Sequence, residues 1–338
     1  MAQGRARALG LLVSLLALTL AMVVGCGSES TIDPGIDPDA VVWTKLTSFP
    51  VGRSTAIYPD WQGDSVVFCA IDQNPLQQPF LRIGALDMKD PSKAIISTYP
   101  GPARWLDARP RWLRSGLVVF ESTRDTINRQ SDLYTRDLDT GQDKRLLFTP
   151  GGDEHYPAPR PGTPGLVYEE GPDLRGRLVI WPDTTTVANR QYLTRSGFLV
   201  GEPAWDPTGS KVVFASDSVG VDSHGKPITY RHLWWTAPPD TTSHQLTFGP
   251  YQDQSPLYSP DGTKILFVSG RGERSALWIM DPVGGEGAGL KRIAFEDVGA
   301  TIFTPCWSPD GTRIIVSSDG RGYGRQLWVL SNLDLTLP

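Results

Sequence analysis

The chain repeats one segment of about fifty residues six times, and this repeat limits the possible folds more than any other feature. The clearest copies are SPLYSPDGTKILFVS (255–269) and TPCWSPDGTRIIVSS (304–318). In five copies a Pro is followed two residues later by an aromatic anchor residue, and in the third copy Arg160 takes the place of the aromatic. The anchors recur every 45 to 53 residues and are Trp61, Trp112, Arg160, Trp205, Tyr258 and Trp307. A period of this length is typical of propeller blades.

Each copy predicts four strands. The Pro-x-aromatic segment is followed by a tight turn, because Ser-Pro-Asp-Gly places Pro where φ is near −65° and Gly where φ is positive. The next strand, such as Ile314-Ile315-Val316, is apolar on successive residues, so both of its faces must be buried. Two more strand-like pieces follow, for example ALWIMDP (276–282) and KRIAF (291–295). The repeat therefore predicts an all-β fold, a six-bladed β-propeller of four-stranded antiparallel blades over residues 41–338.

Closure of the ring can also be predicted. The sixth copy ends after three strands, and the segment VVWTKLTSFP (41–50) is expected to supply the missing strand of the last blade. Joining the two ends of the chain in one blade removes an open seam. The alternative is that Leu333–Leu337 folds back to complete it. Cys69 and Cys306 fall in the first and last copies, where we expect two buried thiols, with a disulfide across the seam as the alternative.

The N-terminus has the pattern of a secretory signal. Arg5 and Arg7 precede an uncharged apolar run from Ala8 to Val24, which predicts a signal peptide over residues 1–25. A plain membrane helix is the alternative, although the run is short for a span. Residues 26–40 contain two prolines and four acidic residues but little apolar surface, so we expect a flexible spacer.

The sequence Val23-Val24-Gly25-Cys26 resembles the bacterial lipobox. That resemblance implies cleavage before Cys26 and attachment of lipid to its thiol, so that the protein is anchored in the cell envelope. Gly27 resembles the residue that follows Cys in lipoproteins sorted to the outer membrane, which implies a site on that membrane facing the periplasm. Losing both arginines would change the formal net charge from −5 to −7, and such an acidic chain is not expected to bind nucleic acid.

The motifs Pro-x-Trp-Ser-Pro-Asp-Gly and Leu-Trp-x-Met-Asp are similar to the TolB-type propeller repeat. The resemblance covers about residues 41–338, is strong in copies five and six, and is weak in copy three, where Arg160 replaces the aromatic. It implies a monomeric envelope protein that binds other proteins and needs no cofactor. TolB has an α/β domain before its propeller and no lipid anchor, so the predicted spacer and lipidation indicate a protein other than TolB, and TolB's partner Pal is not carried over.

Catalytic and metal motifs are not found in the sequence. It has no G-x-S-x-G nucleophile elbow, and its four histidines lack the H-x-x-x-H or H-E-x-x-H spacing of a zinc site. They are His155, His224, His232 and His244. Two loops could offer oxygen ligands to calcium, although solvated acids are the favoured interpretation. The candidate ligands are Asp217, Asp222 and His224, or Asp125, Asn128 and Asp132.

Functional residues are expected where each first strand begins, at the mouth of the central channel. The candidates are Asp107, Arg109, Asp153, Glu154, His155, Glu202 and Asp253. Together they predict an acidic mouth that receives a basic or hydrogen-bonding segment of an envelope protein, although any one of them could simply cap a turn. The expected function is therefore a non-catalytic binding scaffold. The alternative is a carbohydrate binder, or a hydrolase or lyase, that uses the same mouth.

Overall fold

Strands account for every regular element in the part of the chain that the structure describes. The structure is a computed structural model that describes residues 41–48, 54–72, 80–96, 105–124, 130–150, 152–171, 176–186, 189–195, 199–221, 224–272, 275–295, 300–320 and 325–338. Within those residues, no helix is long and apolar enough to cross a membrane. The predicted signal peptide (1–25) and spacer (26–40), with Cys26, lie outside the described residues.

The strands form six four-stranded antiparallel sheets, which we number as blades 1 to 6. Blades 1 to 3 contain β2 (Ser54–Gln62), β3 (Ser65–Asp72), β4 (Phe80–Asp87), β5 (Asp90–Ile96); β6 (Asp107–Arg114), β7 (Leu117–Ser122), β8 (Asp132–Asp137), β9 (Asp143–Leu147); β10 (Glu154–Pro159), β11 (Leu166–Glu170), β12 (Arg177–Trp181) and β13 (Gln191–Tyr192).

Blades 4 to 6 contain β14 (Val200–Trp205), β15 (Val212–Val221), β16 (Pro227–Thr236), β17 (His244–Gln245); β18 (Asp253–Tyr258), β19 (Ile265–Ser269), β20 (Ala276–Asp281), β21 (Gly285–Phe295); β22 (Ile302–Trp307), β23 (Ile314–Ser318), β24 (Gln326–Ser331) and β1 (Val42–Lys45). The first strands of consecutive blades contact one another in a closed ring, so they are the inner strands of a propeller.

Ring closure follows the prediction. β1 pairs antiparallel with β24, from Val42 opposite Ser331 to Lys45 opposite Trp328, and thereby becomes the fourth strand of blade 6. The segment Leu333–Leu337 does not supply this strand. Its leucines instead pack against the apolar cluster of blades 5 and 6, where Lys291 forms an ion pair of 2.6 Å with Asp334.

The Ser-Pro-Asp-Gly turns close the hairpins between first and second strands. Asp261 Oδ1 accepts hydrogen bonds from the backbone N–H of Thr263 at 3.0 Å and from the Ser259 hydroxyl at 2.6 Å. These bonds favour the charged carboxylate and lower the pKa of Asp261 to about 2. Gly262 has φ of 72°, which only glycine adopts without strain. The motif is therefore a structural element of the scaffold.

The second strand of each blade is buried between two neighbours. In β23, Ile314 and Val316 pack in the cluster shared with blade 5, while Ile315 packs against Trp61 of blade 1. Consecutive side chains of a strand point to opposite faces, so one apolar strand supports two blade interfaces. Cys69 and Cys306 are free and buried, and burial raises the pKa of both thiols.

We expect Ile315→Ala to weaken the interface at which the ring closes. Removing this fully buried side chain should lower the free energy of unfolding by about 2–5 kcal/mol, measured by urea denaturation. The control is Val283→Ala, at a side chain that is 72% exposed, where the change should stay within about 0.5 kcal/mol. Equal effects of the two substitutions would contradict burial of β23 between blade 5 and blade 1.

Candidate functional site: the central channel

All six inner strands contain a bulge at the same two-residue step, and β6 has a second register shift between Trp112 and Arg114. The pairing register shifts across a residue followed by Pro, and that residue has a positive φ. The six residues, which we call the pre-proline ring, are Tyr58 (54°), Arg109 (50°), Tyr156 (50°), Glu202 (56°), Ser255 (53°) and Thr304 (30°). Left-handed backbone is costly for such residues, and a bulge re-aims a side chain.

The pre-proline ring surrounds a cavity at the centre of the propeller. The cavity has a volume of about 470 Å³ with its open mouth included, and its lining also contains five of the following prolines, Arg111 and Leu257. Tyrosine and arginine side chains line the half that blades 1 to 3 build. Glu202, Ser255 and Thr304 line the other half, so the two sides of the channel differ in charge.

Arg109 is the centre of the basic half. Its guanidinium forms a buried ion pair with Glu121 of β7 and donates a hydrogen bond of 3.0 Å to the Tyr156 hydroxyl. It also lies over the rings of Tyr156 and Tyr58, 3.8 and 5.0 Å from their centroids, which adds cation–π attraction. Burial alone would raise the pKa of Glu121, but Arg109 and His155 outweigh it and lower this pKa to about 2.

His155 lies directly behind this part of the channel wall, between two carboxylates. Its Nδ1 is 3.4 Å from Glu121 Oε2, and its Nε2 is 3.1 Å from Asp153 Oδ1. Burial would lower the pKa of His155, but the two carboxylates raise it to about 10. The imidazole is therefore charged at neutral pH, and it serves as a counter-ion here.

Neighbouring members of the pre-proline ring hold one another in pairs. Glu202 accepts hydrogen bonds from the backbone N–H and the hydroxyl of Ser255, at 2.8 and 3.3 Å. Thr304 Oγ1 accepts a hydrogen bond of 3.0 Å from the backbone N–H of Tyr58. The first contact joins blade 4 to blade 5, and the second joins blade 6 to blade 1. The bond from Arg109 to Tyr156 joins blade 2 to blade 3 in the same way. The channel lining is thus fixed by contacts between blades.

No protein-family model matches the chain. Among curated proteins, it is 26% identical over 239 residues to the Tol-Pal system protein TolB of Anaeromyxobacter dehalogenans, covering 65% of this chain and 50% of that protein. It is 29% identical over 119 residues to the uncharacterized peptidase YuxL of Bacillus subtilis, covering 35% of this chain and 17% of that one. The chain therefore spans half or less of these relatives.

Solved structures share the architecture over most of the chain. A putative TolB from Agrobacterium tumefaciens superposes with a TM-score of 0.60 at 14% identity, over 86% of this chain and 96% of that one. In fold, the chain is a TolB-like six-bladed β-propeller. An oligogalacturonate lyase in complex with manganese superposes with a TM-score of 0.51 at 16% identity, over 88% and 93% of the two chains.

The TolB-like propeller has neighbours that include peptidases and a lyase as well as TolB proteins. A fold that carries both binding proteins and enzymes does not decide catalytic activity, so function must be argued from the site. The weak sequence similarity to TolB fits a chain distinct from TolB itself.

Two of the seven sequence-predicted site residues, Arg109 and Glu202, line the cavity of this TolB-like propeller. His155 and Asp153 lie behind the wall, as described above. Asp107 and Asp253 begin their inner strands and are buried in ion pairs of 2.6 and 2.8 Å. The arginines that hold them are Arg124 and Arg271. Neutralising either aspartate would remove one of the two carboxylates that pair with a buried guanidinium, since Arg124 also pairs with Asp143 and Arg271 with Glu286, so loss of stability is expected there.

Glu154 occupies the same position in blade 3 as Asp107 and Asp253 do in theirs, because each pairs with the last residue of its second strand. Its side chain is fully buried, and neither carboxylate oxygen accepts a hydrogen bond of normal geometry from a described residue. Burial is the main reason that its pKa is raised to about 8, with a contribution from Asp132. A role for these acids in binding a partner stays a prediction.

Sequence reasoning missed the pre-proline ring as a unit, together with Glu121 and Glu169. The signal for the ring was the Pro that recurs in every copy, since the residue before it lines the channel. The signal for the two glutamates was a charge that interrupts an apolar second strand, in LVVFES and LVYEE. Burial raises the pKa of Glu169 to about 7, against the lowering effects of His155 and Arg231.

The suggested metal ligands do not come together in the described residues, where no group of three or more His, Cys, Asp or Glu side chains could hold a metal ion. Asp217 forms an ion pair of 3.3 Å with Arg231, and Asp132 pairs with Arg145. Asp125, Asn128 and Asp222 lie outside the described residues. His232 hydrogen-bonds to the Gly249 carbonyl, and His244 stacks on Trp235.

We expect Glu169→Gln to stabilise the propeller in a pH-dependent way. The folded-state pKa of about 7 lies above the unfolded value near 4.5, so ionisation of Glu169 costs stability as pH rises from 4.5 through 7. The variant should therefore melt at the same temperature as wild type at pH 4.5 and a few degrees higher at pH 8. A Tm difference that does not change with pH would show that Glu169 is not held in this way.

Proposed function

We propose that this chain is a non-catalytic lipoprotein of the bacterial cell envelope whose monomeric propeller binds other proteins. The observation that carries the proposal is the pre-proline ring. Six residues hold an unfavourable backbone conformation and point their side chains into one cavity, and such strain is retained where a binding surface is preorganised. The sequence relatives named TolB in the Tol-Pal system support an envelope role.

The partner enters the cavity as a segment. The cavity is narrow, because its volume of about 470 Å³ includes the open mouth, so it admits an inserted side chain and not a globular surface. Its walls offer tyrosine rings, guanidinium groups, a carboxylate and hydroxyls, so they can recognise both the shape and the charge of an inserted chain. The rigid ring around it means that little ordering cost falls on the scaffold.

A pull-down from solubilised membranes tests the channel as the binding surface. Ser255→Trp should abolish capture of the partner, because the indole fills the cavity. The matched control is Ser255→Ala, which loses the same hydroxyl contact with Glu202 but leaves the cavity open and should still capture the partner. Capture by both variants alike would place binding elsewhere. Specific binding or cleavage of a glycan by wild type would instead favour the alternative of a carbohydrate binder, hydrolase or lyase.

Lipid anchoring through Cys26 is the second part of the proposal, with residues 1–25 as the signal peptide, 26–40 as the spacer and the propeller facing the periplasm at the outer membrane. The lipobox-like sequence supports it. Cys26→Ser should abolish metabolic incorporation of a labelled fatty acid and move the protein from the membrane fraction to the soluble fraction. Cys69→Ser, at a buried thiol, should leave both unchanged. Label incorporated into the Cys26 variant would contradict this anchor.

A further inference from the structure

Glu169, in the second strand of blade 3, is a buried carboxylate beside the channel that lacks the contacts its counterpart has. Its side chain is 0% exposed, and neither oxygen accepts a hydrogen bond of normal geometry from a described residue. The backbone N–H of Gly176 favours its charged form but does not meet that geometry. Burying a carboxylate costs several kcal/mol unless a partner offsets it. A site that keeps such a group is a candidate for a ligand.

The counterpart is Glu121, at the same position in blade 2. Glu121 pairs in register with Ala108, and Glu169 with His155, each just before the bulge of its inner strand. Glu121 reaches the inner strand of the next blade, where it contacts His155 and accepts a hydrogen bond of 3.1 Å from the Tyr156 backbone. Both oxygens of Glu121 are thereby satisfied, since Arg109 takes the other.

The corresponding position facing Glu169 is Gly201, which pairs with Ala215 just before the bulge of blade 4. A Cβ placed on Gly201 would lie 3.2 Å from Glu169 Oε2 and 3.3 Å from the edge of the Tyr156 ring. Glu169 therefore points at blade 4 as Glu121 points at blade 3. The residue that faces it there, Gly201, has no side chain that could pair with it. Gly201 and the Tyr156 ring separate its carboxylate from the channel.

His155, Arg231 and Arg109 act on Glu169 only through space, because they lower its pKa but none of them donates a hydrogen bond to its oxygens. Arg231 is the cation nearest to Glu202, at 3.7 Å, and it is shared with Asp217 at 3.3 Å. Glu169 and Glu202 both lie close enough to Tyr156 to raise the pKa of its hydroxyl, behind the larger effect of burial. The interface between blades 2 and 3 differs from this one, since Glu121 contacts both Arg109 and His155 directly.

We propose that the channel wall between blades 3 and 4 binds one cationic side chain of the partner, a guanidinium or an ammonium, between Glu169, Glu202 and the ring of Tyr156. This inference rests on the proposed function and names the chemistry of the inserted segment. The cation contacts directly a carboxylate that accepts no hydrogen bond of normal geometry from a described residue, and it packs on an aromatic face. Entry of the cation requires the Tyr156 ring to turn, at the cost of its 3.0 Å hydrogen bond from Arg109, while Gly201 presents no side chain in the way.

The test is a titration of the purified mature protein with N-acetyl-arginine amide, followed by NMR or calorimetry. The neutral control ligand is the citrulline analogue, which has nearly the same shape without the charge. Arginine amide should bind saturably and citrulline amide should not. Glu169→Gln should weaken binding of arginine amide at least tenfold, because it removes the charge and keeps the volume.

Glu170→Gln is the matched control variant. It makes the same substitution at the next residue of β11, whose side chain lies on the opposite face of the strand from Glu169 and accepts a hydrogen bond from the Tyr192 hydroxyl, and it should change the affinity less than twofold. Gly201→Ala provides an independent variant that keeps Glu169 but narrows the path beside Tyr156, and it should also weaken binding. No saturable binding, equal binding of citrulline amide, or equal affinities of the two glutamine variants would overturn the proposal.

The outcomes separate this inference from the proposed function. Binding of arginine amide that depends on Glu169, with no protein captured from membranes, would retain the cation site and reject the scaffold role. A partner captured equally well by wild type and Glu169→Gln, and lost in Ser255→Trp, would retain the scaffold role and reject this site.

Discussion

The structure depends on the burial of each second strand between two neighbouring blades. Strands such as β23 are apolar on both faces, so a single blade would expose one or both of them to water. Only a closed ring satisfies all six, and β1 closes it by pairing with β24. Closure then fixes where the inner strands meet. The channel is therefore a consequence of packing that occurs far from it, and its residues can vary without changing the fold.

Within that frame, the Pro of each repeat has a second role. Pro restricts its own φ and removes one backbone donor from the ladder, so the inner strand breaks its register at this step. The preceding residue takes up a left-handed conformation and directs its side chain to the axis. Contacts from one blade to the next, such as Glu202 with Ser255, hold this conformation in place. The strain is thus distributed over six equivalent positions of one rigid ring.

The sequence allowed the fold to be predicted almost completely, because its determinants are local or periodic. The Ser-Pro-Asp-Gly turns, the apolar second strands and the missing strand of the last blade all follow from one repeat. The site was harder to predict from the sequence. Acids at the start of inner strands predict an acidic mouth, and the structure adds that Asp107 and Asp253 are buried in ion pairs with Arg124 and Arg271. These arginines come two residues after the second strand, and only the fold shows which acid each one meets.

The isolation of Glu169 is harder still to predict, since it depends on a comparison between blades. The motif LVYEE shows a charge within a buried strand, but nothing local distinguishes it from LVVFES, whose Glu121 is fully paired. The difference lies across the blade interface, where His155 faces one glutamate and Gly201 faces the other. Equivalent positions in a repeat fold therefore serve as internal controls for one another. Glu169 keeps the charge of Glu121 without the direct hydrogen bonds that Glu121 accepts, and the proposed cation site accounts for that difference.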